Sequence, residues 1–113
     1  MRVYLPTTLA LLAEQHAGGA VVATAEVGVA DDDTEDAEYA ALMTAADAST
    51  ALLAGPGRRV VVVAEVRAEP ADGDAVAWRD VVALHADVAD RPVGADPDDD
   101  LAWFATQEVT ELV

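Results

Sequence analysis

His85 and Asp87 are the two side chains whose types and spacing best fit metal binding. They alternate with apolar residues in a segment typical of a β-strand. Residues two apart on a strand point to the same face, so both side chains would ligate one ion, with Asp90 or an acid of the next loop completing the set. A solvated strand face explains the same alternation without a metal. Both interpretations of the pair remain open at this point.

Motifs for catalysis are absent from the chain. It has no G-x-S-x-G, P-loop, dinucleotide-glycine or H-E-x-x-H pattern. Cysteine and lysine are absent, and the single serine, Ser49, falls in the middle of a predicted helix. Hydrolysis by carboxylates is therefore the main route left to an enzyme. The aspartate runs at 31–33 and 98–100 lack the spacing of a calcium loop and are interpreted as helix caps and solvated charge.

A second set of candidates consists of polar and aromatic residues in two predicted helices. Its members are Glu38, Tyr39, Trp103, Gln107 and Glu108. If the two helices lie side by side, Tyr39 shares a hydrogen-bond network with Gln107 or Glu108 as a ligand or partner site. Arg2 or Arg59 would then supply counter-charge. In the structural alternative, Tyr39 belongs to the core, and the two polar residues anchor the last helix.

Trp103 has two interpretations of its own. It lies off the apolar stripe of the predicted last helix, beside polar residues at helical spacing. Tryptophan is enriched in binding hot spots, which favours an interface anchor. A terminal helix also uses tryptophan to pack onto its sheet.

Seven elements are predicted to position these side chains, in the order β-α-β-α-β-β-α. The first strand, 2–5, is closed by Pro6, which cannot donate to a ladder. The others are a helix over 8–17, a strand within 20–29, a helix that begins after a cap at Asp33 or Thr34 and is stopped by the glycines and proline at 55–57, a buried strand over 60–66, a return segment over 75–88 bent near 78–81, and a helix from 101 onward.

This order favours a single α+β domain over 1–113. We expect a two-layer sandwich in which three helices cover one face of a mixed sheet of about four strands, with a ferredoxin-like variant as one topology. A small three-layer α/β sheet is the alternative.

The chain is strongly acidic, with a formal net charge of −16. This charge predicts repulsion from nucleic acids and anionic membranes, and it favours a basic protein partner. Solubilising charge or adaptation to high salt would produce the same composition. No signal peptide, membrane span or cofactor motif is visible, so we expect a cytoplasmic protein without a cofactor. Edges of a small open sheet leave homo-oligomerisation open.

Four segments carry a family resemblance: MRVYLP at 1–6, EYAAL at 38–42, RRVVV at 58–62 and LAWFATQEV at 101–109. With them the chain resembles a family of small uncharacterised actinobacterial proteins. The resemblance spans nearly the whole chain and implies no known activity.

Two hypotheses about function follow. The first is a non-enzymatic acidic binding or regulatory domain that engages another protein. The alternative is a small metal-binding or carboxylate-based enzyme domain that uses His85 and Asp87. Convergent acids in a pocket would favour the enzyme, whereas a flat apolar patch around Trp103 would favour the interface.

Overall fold

Five strands form the central sheet, and two more form a small separate sheet. A computed structural model describes all residues from 1 to 113. Its elements are β1 (Arg2–Thr7), α1 (Leu9–Gly18), β2 (Ala20–Val22), β3 (Gly28–Val29), α2 (Glu35–Leu52), β4 (Val60–Glu65), β5 (Ala75–Ala77), β6 (Val81–Ala86), β7 (Ala102–Phe104) and α3 (Val109–Leu112). Two 3-10 turns, Trp78–Asp80 and Thr106–Glu108, precede β6 and α3.

The central strands lie in the order β3-β1-β4-β6-β7, while β2 pairs with β5. Every pair of neighbours is antiparallel. The predicted α+β class is therefore confirmed. The central sheet is larger than the four strands expected, and it is antiparallel where a mixed sheet was predicted. None of the helices is both long and apolar enough to cross a membrane.

Apolar side chains cover both faces of the central sheet. On β4, Val60 and Val62 join one hydrophobic cluster, whereas Val61 and Val63 join another. Helix α2 packs on the second side, and α1, the β2–β5 sheet and the C-terminal segment pack on the first. The helices thus occupy two faces instead of the single face expected. The unbroken valine run of β4 reflects this burial on both faces.

Helix α2 begins at a side-chain cap and lies close to the sheet. The hydroxyl of Thr34 accepts a hydrogen bond from the Ala37 N–H, and three acids in the first turn complement the helix dipole. At Gly28 in β3, a Cβ would overlap the backbone carbonyl of Ala41. Glycine at this position therefore permits the close approach of α2 to the edge of the sheet.

Buried Ser49 joins α2 to two strands. Its hydroxyl donates to the Thr7 carbonyl at 2.6 Å and accepts from the Val60 N–H at 2.9 Å. We expect Ser49→Ala to lower the free energy of unfolding by about 1–3 kcal/mol, because the buried Thr7 carbonyl and Val60 N–H lose the hydroxyl as their partner. Urea denaturation measures the change. Thr50→Ala is the matched control, since the neighbouring hydroxyl bonds only within the helix, to the Ala46 carbonyl; equal losses for both variants would contradict the assignment.

Two strand boundaries differ from those predicted. Pro6 lies inside β1, opposite Val61, because β3 pairs only with Val3 and Tyr4 and leaves the rest of β1 with one free edge. Proline is tolerated at such an edge. The segment 20–29 forms two short strands in different sheets instead of one strand. The predicted bend in the return segment is confirmed by the 3-10 turn between β5 and β6.

The predicted last helix is the largest local correction. Ala102–Phe104 is a strand paired with β6, and the α-helix is confined to Val109–Leu112. The apolar spacing of this segment fits a helical period, but its adjacent tryptophan and phenylalanine favour a strand when a sheet edge is available. The free edge of β6 provides that partner.

Candidate functional site

Part of the central sheet is not covered by any helix on the α2 side. Helix α2 packs on β3, β1 and β4. Across the sheet on this side, Pro6 lies opposite Val61, Val61 opposite His85, and His85 opposite Trp103. The side chain of Trp103 is 60% exposed, while that of His85 is half-buried. We call this surface on β6 and β7, centred on His85 and Trp103, the open face.

Strand β7 is one edge of the central sheet. It pairs with β6 through Ala102, Trp103 and Phe104, and no strand lies on its other side. The turn and loop hydrogen bonds of the backbone do not include these three residues. The outer side of β7 therefore presents unpaired backbone donors and acceptors next to the exposed tryptophan.

Tyr39 and Asp100 connect α2 to the segment that leads into β7. The Tyr39 hydroxyl donates a hydrogen bond to a carboxylate oxygen of Asp100 at 2.9 Å. This bond, together with partial burial and nearby aspartates, raises the pKa of Tyr39. It also brings the aspartate run at 98–100 beside the first turns of α2, which carry three acids of their own. Two acidic segments distant in sequence thus meet at one border of the open face.

A buried ion pair fixes the start of this segment. Arg59 donates to Asp87 through Nε at 2.9 Å, through a terminal nitrogen at 2.7 Å and through its backbone N–H at 2.9 Å. The two side chains are only 2% and 7% exposed. The same guanidinium donates to the carbonyls of Pro97 and Asp99. Arg59 therefore ties the end of β6 and the start of β4 to the residues that precede β7.

The charges of this pair support each other. Burial of the Asp87 carboxyl favours its neutral form, but hydrogen bonds and charge attraction from Arg59 outweigh burial and hold the pKa of Asp87 below its ordinary value. The hydrogen bond to Asp87 likewise raises the pKa of Arg59 against the effect of burial. Both groups are therefore charged at neutral pH. The sequence pattern indicated Asp87 as a metal ligand and did not indicate its partner Arg59, although an arginine directly before a buried strand was the available signal.

A cleft of about 350 Å³ lies between the end of α2 and the loop after β6. Arg59 and Arg91 line it, and Gly57 and Arg91 exchange backbone hydrogen bonds across it. The Arg91 guanidinium is bonded to a carboxylate oxygen of Asp99 at 3.1 Å. Both guanidinium groups of the cleft are thus already paired with carboxylates, which stabilises the loop.

The two residues predicted to bind a metal have different contacts in the structure. Both carboxylate oxygens of Asp87 accept hydrogen bonds from Arg59. His85 lies instead opposite Trp103 on the open face. No three His, Asp or Glu side chains lie close enough to hold a metal ion together. A metal at His85 and Asp87 would have to displace Arg59 from its carboxylate.

The other sequence-predicted site residues are also distributed over different contacts. A carboxylate oxygen of Glu38 lies 3.5 Å from a terminal guanidinium nitrogen of Arg2, in an ion pair at the surface. Glu108 accepts a hydrogen bond from the Ala105 N–H and so closes its own turn, while Gln107 is exposed. The network expected between Tyr39 and Gln107 or Glu108 does not form, because the terminal segment is a strand and a turn and places Asp100 at the Tyr39 hydroxyl. Of this set, Trp103 lies on the open face and Tyr39 is joined to its border.

We expect His85 to make the stability of the fold depend on pH. Burial lowers the pKa of His85 below its ordinary value of 6.5. Between the lowered pKa of His85 in the folded chain and its ordinary pKa in the unfolded chain, the unfolded chain binds more protons. The free energy of unfolding therefore falls as pH decreases through this range. We expect the free energy of unfolding of the wild type to fall relative to that of His85→Gln as pH decreases below about 7. Urea denaturation at several pH values measures the difference; parallel pH profiles would contradict it.

Comparison with known proteins identifies one family. No curated protein and no solved structure matches the chain significantly. One family model matches residues 1–113, the full length of the sequence. The chain belongs to the family described as "Family of unknown function (DUF6912)".

Proposed function

We propose that this chain is a non-enzymatic domain that binds another protein through the open face. The observation that carries the proposal is Trp103, which stands in a strand of the central sheet with 60% of its side chain exposed. A large exposed aromatic side chain gains free energy when a partner covers it, and tryptophan is enriched among residues that dominate binding energy. Its position beside an unpaired sheet edge supplies polar backbone groups next to this apolar anchor.

Charge supports a basic partner. The chain has a net charge of −16, and four of its six cationic side chains are paired with carboxylates: Arg2, Arg58, Arg59 and Arg91. The acidic segments at the border of the open face add to the attraction for a cationic surface. The same charge disfavours nucleic acids and anionic membranes as partners. We also propose a cytoplasmic location for this binding.

A quantitative capture experiment tests the proposal. Wild type, Trp103→Ala and Leu11→Ala would be used as bait in extracts of the source organism, and retained proteins compared by mass spectrometry. Leu11 is the control because it is an exposed apolar residue, 40% exposed, on α1 and thus on the opposite side of the sheet.

We expect a protein that is retained by the wild type and by Leu11→Ala and is lost with Trp103→Ala. Direct titration of the wild type and the two variants with that purified protein must then give the same order of affinities. Retention that is equal for all three baits, or the absence of any specifically retained protein, would contradict a partner site at the open face.

A further inference from the structure

We propose that the open face takes an extended basic segment of its partner, which adds to β7 as a sixth strand of the central sheet. This inference rests on the proposed function and specifies how the partner binds. It has three supports: the state of the β7 edge, the side chains beside it and the charges around it.

Apart from its length of three residues, the edge of β7 lacks the features that commonly protect a sheet edge. Proteins commonly protect sheet edges with proline, lysine, inward charges or bulges. Ala102–Phe104 contains no proline, lysine or other charged residue, and it pairs with β6 in regular register, without a bulge. The other edge of the sheet, β3, has only two residues and leads into the aspartate run at 31–33. Strand β7 is therefore the edge on which a further strand adds more readily.

The side chain of Trp103 gives the added strand a preferred pattern. Side chains of paired strands that lie directly opposite each other on one face have their Cβ atoms about 4.5–5.5 Å apart. A residue of the added segment opposite Trp103 would thus contact the exposed indole on the α2 side. An apolar residue fits this position, and its two neighbours in the segment would point to the other side of the sheet.

Carboxylates lie on both sides of β7 in the sequence. Asp98 and Asp100 precede the strand, and Glu108 follows it. The carboxylate of Asp98 is in no salt bridge, and that of Asp100 is bonded only to the neutral Tyr39 hydroxyl. Lysine or arginine at the ends of the added segment would pair with these acids. A second copy of this chain would instead bring a further net charge of −16 to the same edge, so a basic segment is the favoured occupant.

Synthetic peptides with blocked ends test this mode of binding directly. The probe is a nine-residue peptide of alternating valine and lysine. One control carries N-methyl groups on every backbone nitrogen, which removes the hydrogen-bond donors of both edges of the peptide. The second control replaces every lysine by glutamate. Titrations are followed by NMR of the isotope-labelled full chain, and by the exchange rates of its amides.

We expect the lysine peptide to shift the amide signals of Leu101–Phe104 and His85, with the N-methylated peptide binding about tenfold more weakly. The glutamate peptide should not bind. Strand β2 is an internal control, because it is an edge of the same length in the other sheet and carries no aromatic residue. Its signals should not shift.

Two outcomes would overturn the inference. Equal binding of the methylated and unmethylated lysine peptides would show attraction to the acidic surface without strand addition. No shift of the β7 signals at millimolar peptide would also exclude this mode. Neither outcome would affect the capture of a partner protein that depends on Trp103. Failure of the strand-addition mode is therefore distinguishable from failure of the proposed function.

Discussion

Asp87→Ala is expected to lower the free energy of unfolding by about 3–5 kcal/mol, because it leaves a buried guanidinium without its counter-charge. Arg59 is 2% exposed and directs two side-chain hydrogen bonds and its backbone N–H to this carboxylate. Solvent cannot replace these bonds without opening the structure around the end of β6. Urea denaturation monitored by circular dichroism gives the change.

Two further variants make this prediction specific. Asp90→Ala should cost less than about 1 kcal/mol, because the Asp90 side chain is 79% exposed and its pair with Arg58 is long, at 3.8 Å. The double variant Arg59→Leu plus Asp87→Ala should be less destabilised than the sum of the single variants, since no buried charge remains unpaired. A loss below about 1 kcal/mol for Asp87→Ala would contradict the role assigned to the pair.

Trp103→Ala is expected to weaken binding of the captured partner by at least 2 kcal/mol, a factor of about 30. The indole is the largest exposed apolar group on the open face, and an alanine would leave the partner residue opposite it without contact. Stability should change little, because most of the side chain is exposed in the free domain. Isothermal titration measures affinity, and urea denaturation of the same variant measures stability.

Leu11→Ala again provides the comparison for Trp103→Ala, with unchanged affinity expected. An affinity of Trp103→Ala within about twofold of wild type would remove Trp103 from the binding surface, since hot-spot truncations cost far more. Weakened binding accompanied by a large loss of stability would also contradict the prediction, because the indole would then support the fold instead of the interface.

The sequence predicted local elements well where the spacing of apolar side chains agreed with the residues that begin or end a helix or strand. Thr34, one of the two residues predicted to cap the second helix, caps α2, and the buried strand begins at Val60 as predicted. The bend before β6 was visible in Trp78–Val81, where a single straight strand would have been too long. These features depend on residues a few positions apart, so a single sequence contains the information.

The candidate site could be predicted only in part, because it depends on contacts between distant residues. The pair of Arg59 and Asp87 spans 28 residues, and the bond between Tyr39 and Asp100 spans 61. The exposure of Trp103 follows from where α2 packs on the sheet, which no local pattern specifies. The helical period of 101–112 even pointed to the wrong element, since the free edge of β6 decides in favour of a strand.

Amide hydrogen exchange of the full chain, free and bound to its captured partner, tests the central claim most directly. Binding at the open face predicts slower exchange at Leu101–Phe104 and His85, with α1 and the β2–β5 sheet unchanged. Protection of α1 or the β2–β5 sheet, with β7 exchanging as in the free chain, would place the partner on the opposite side and contradict the account.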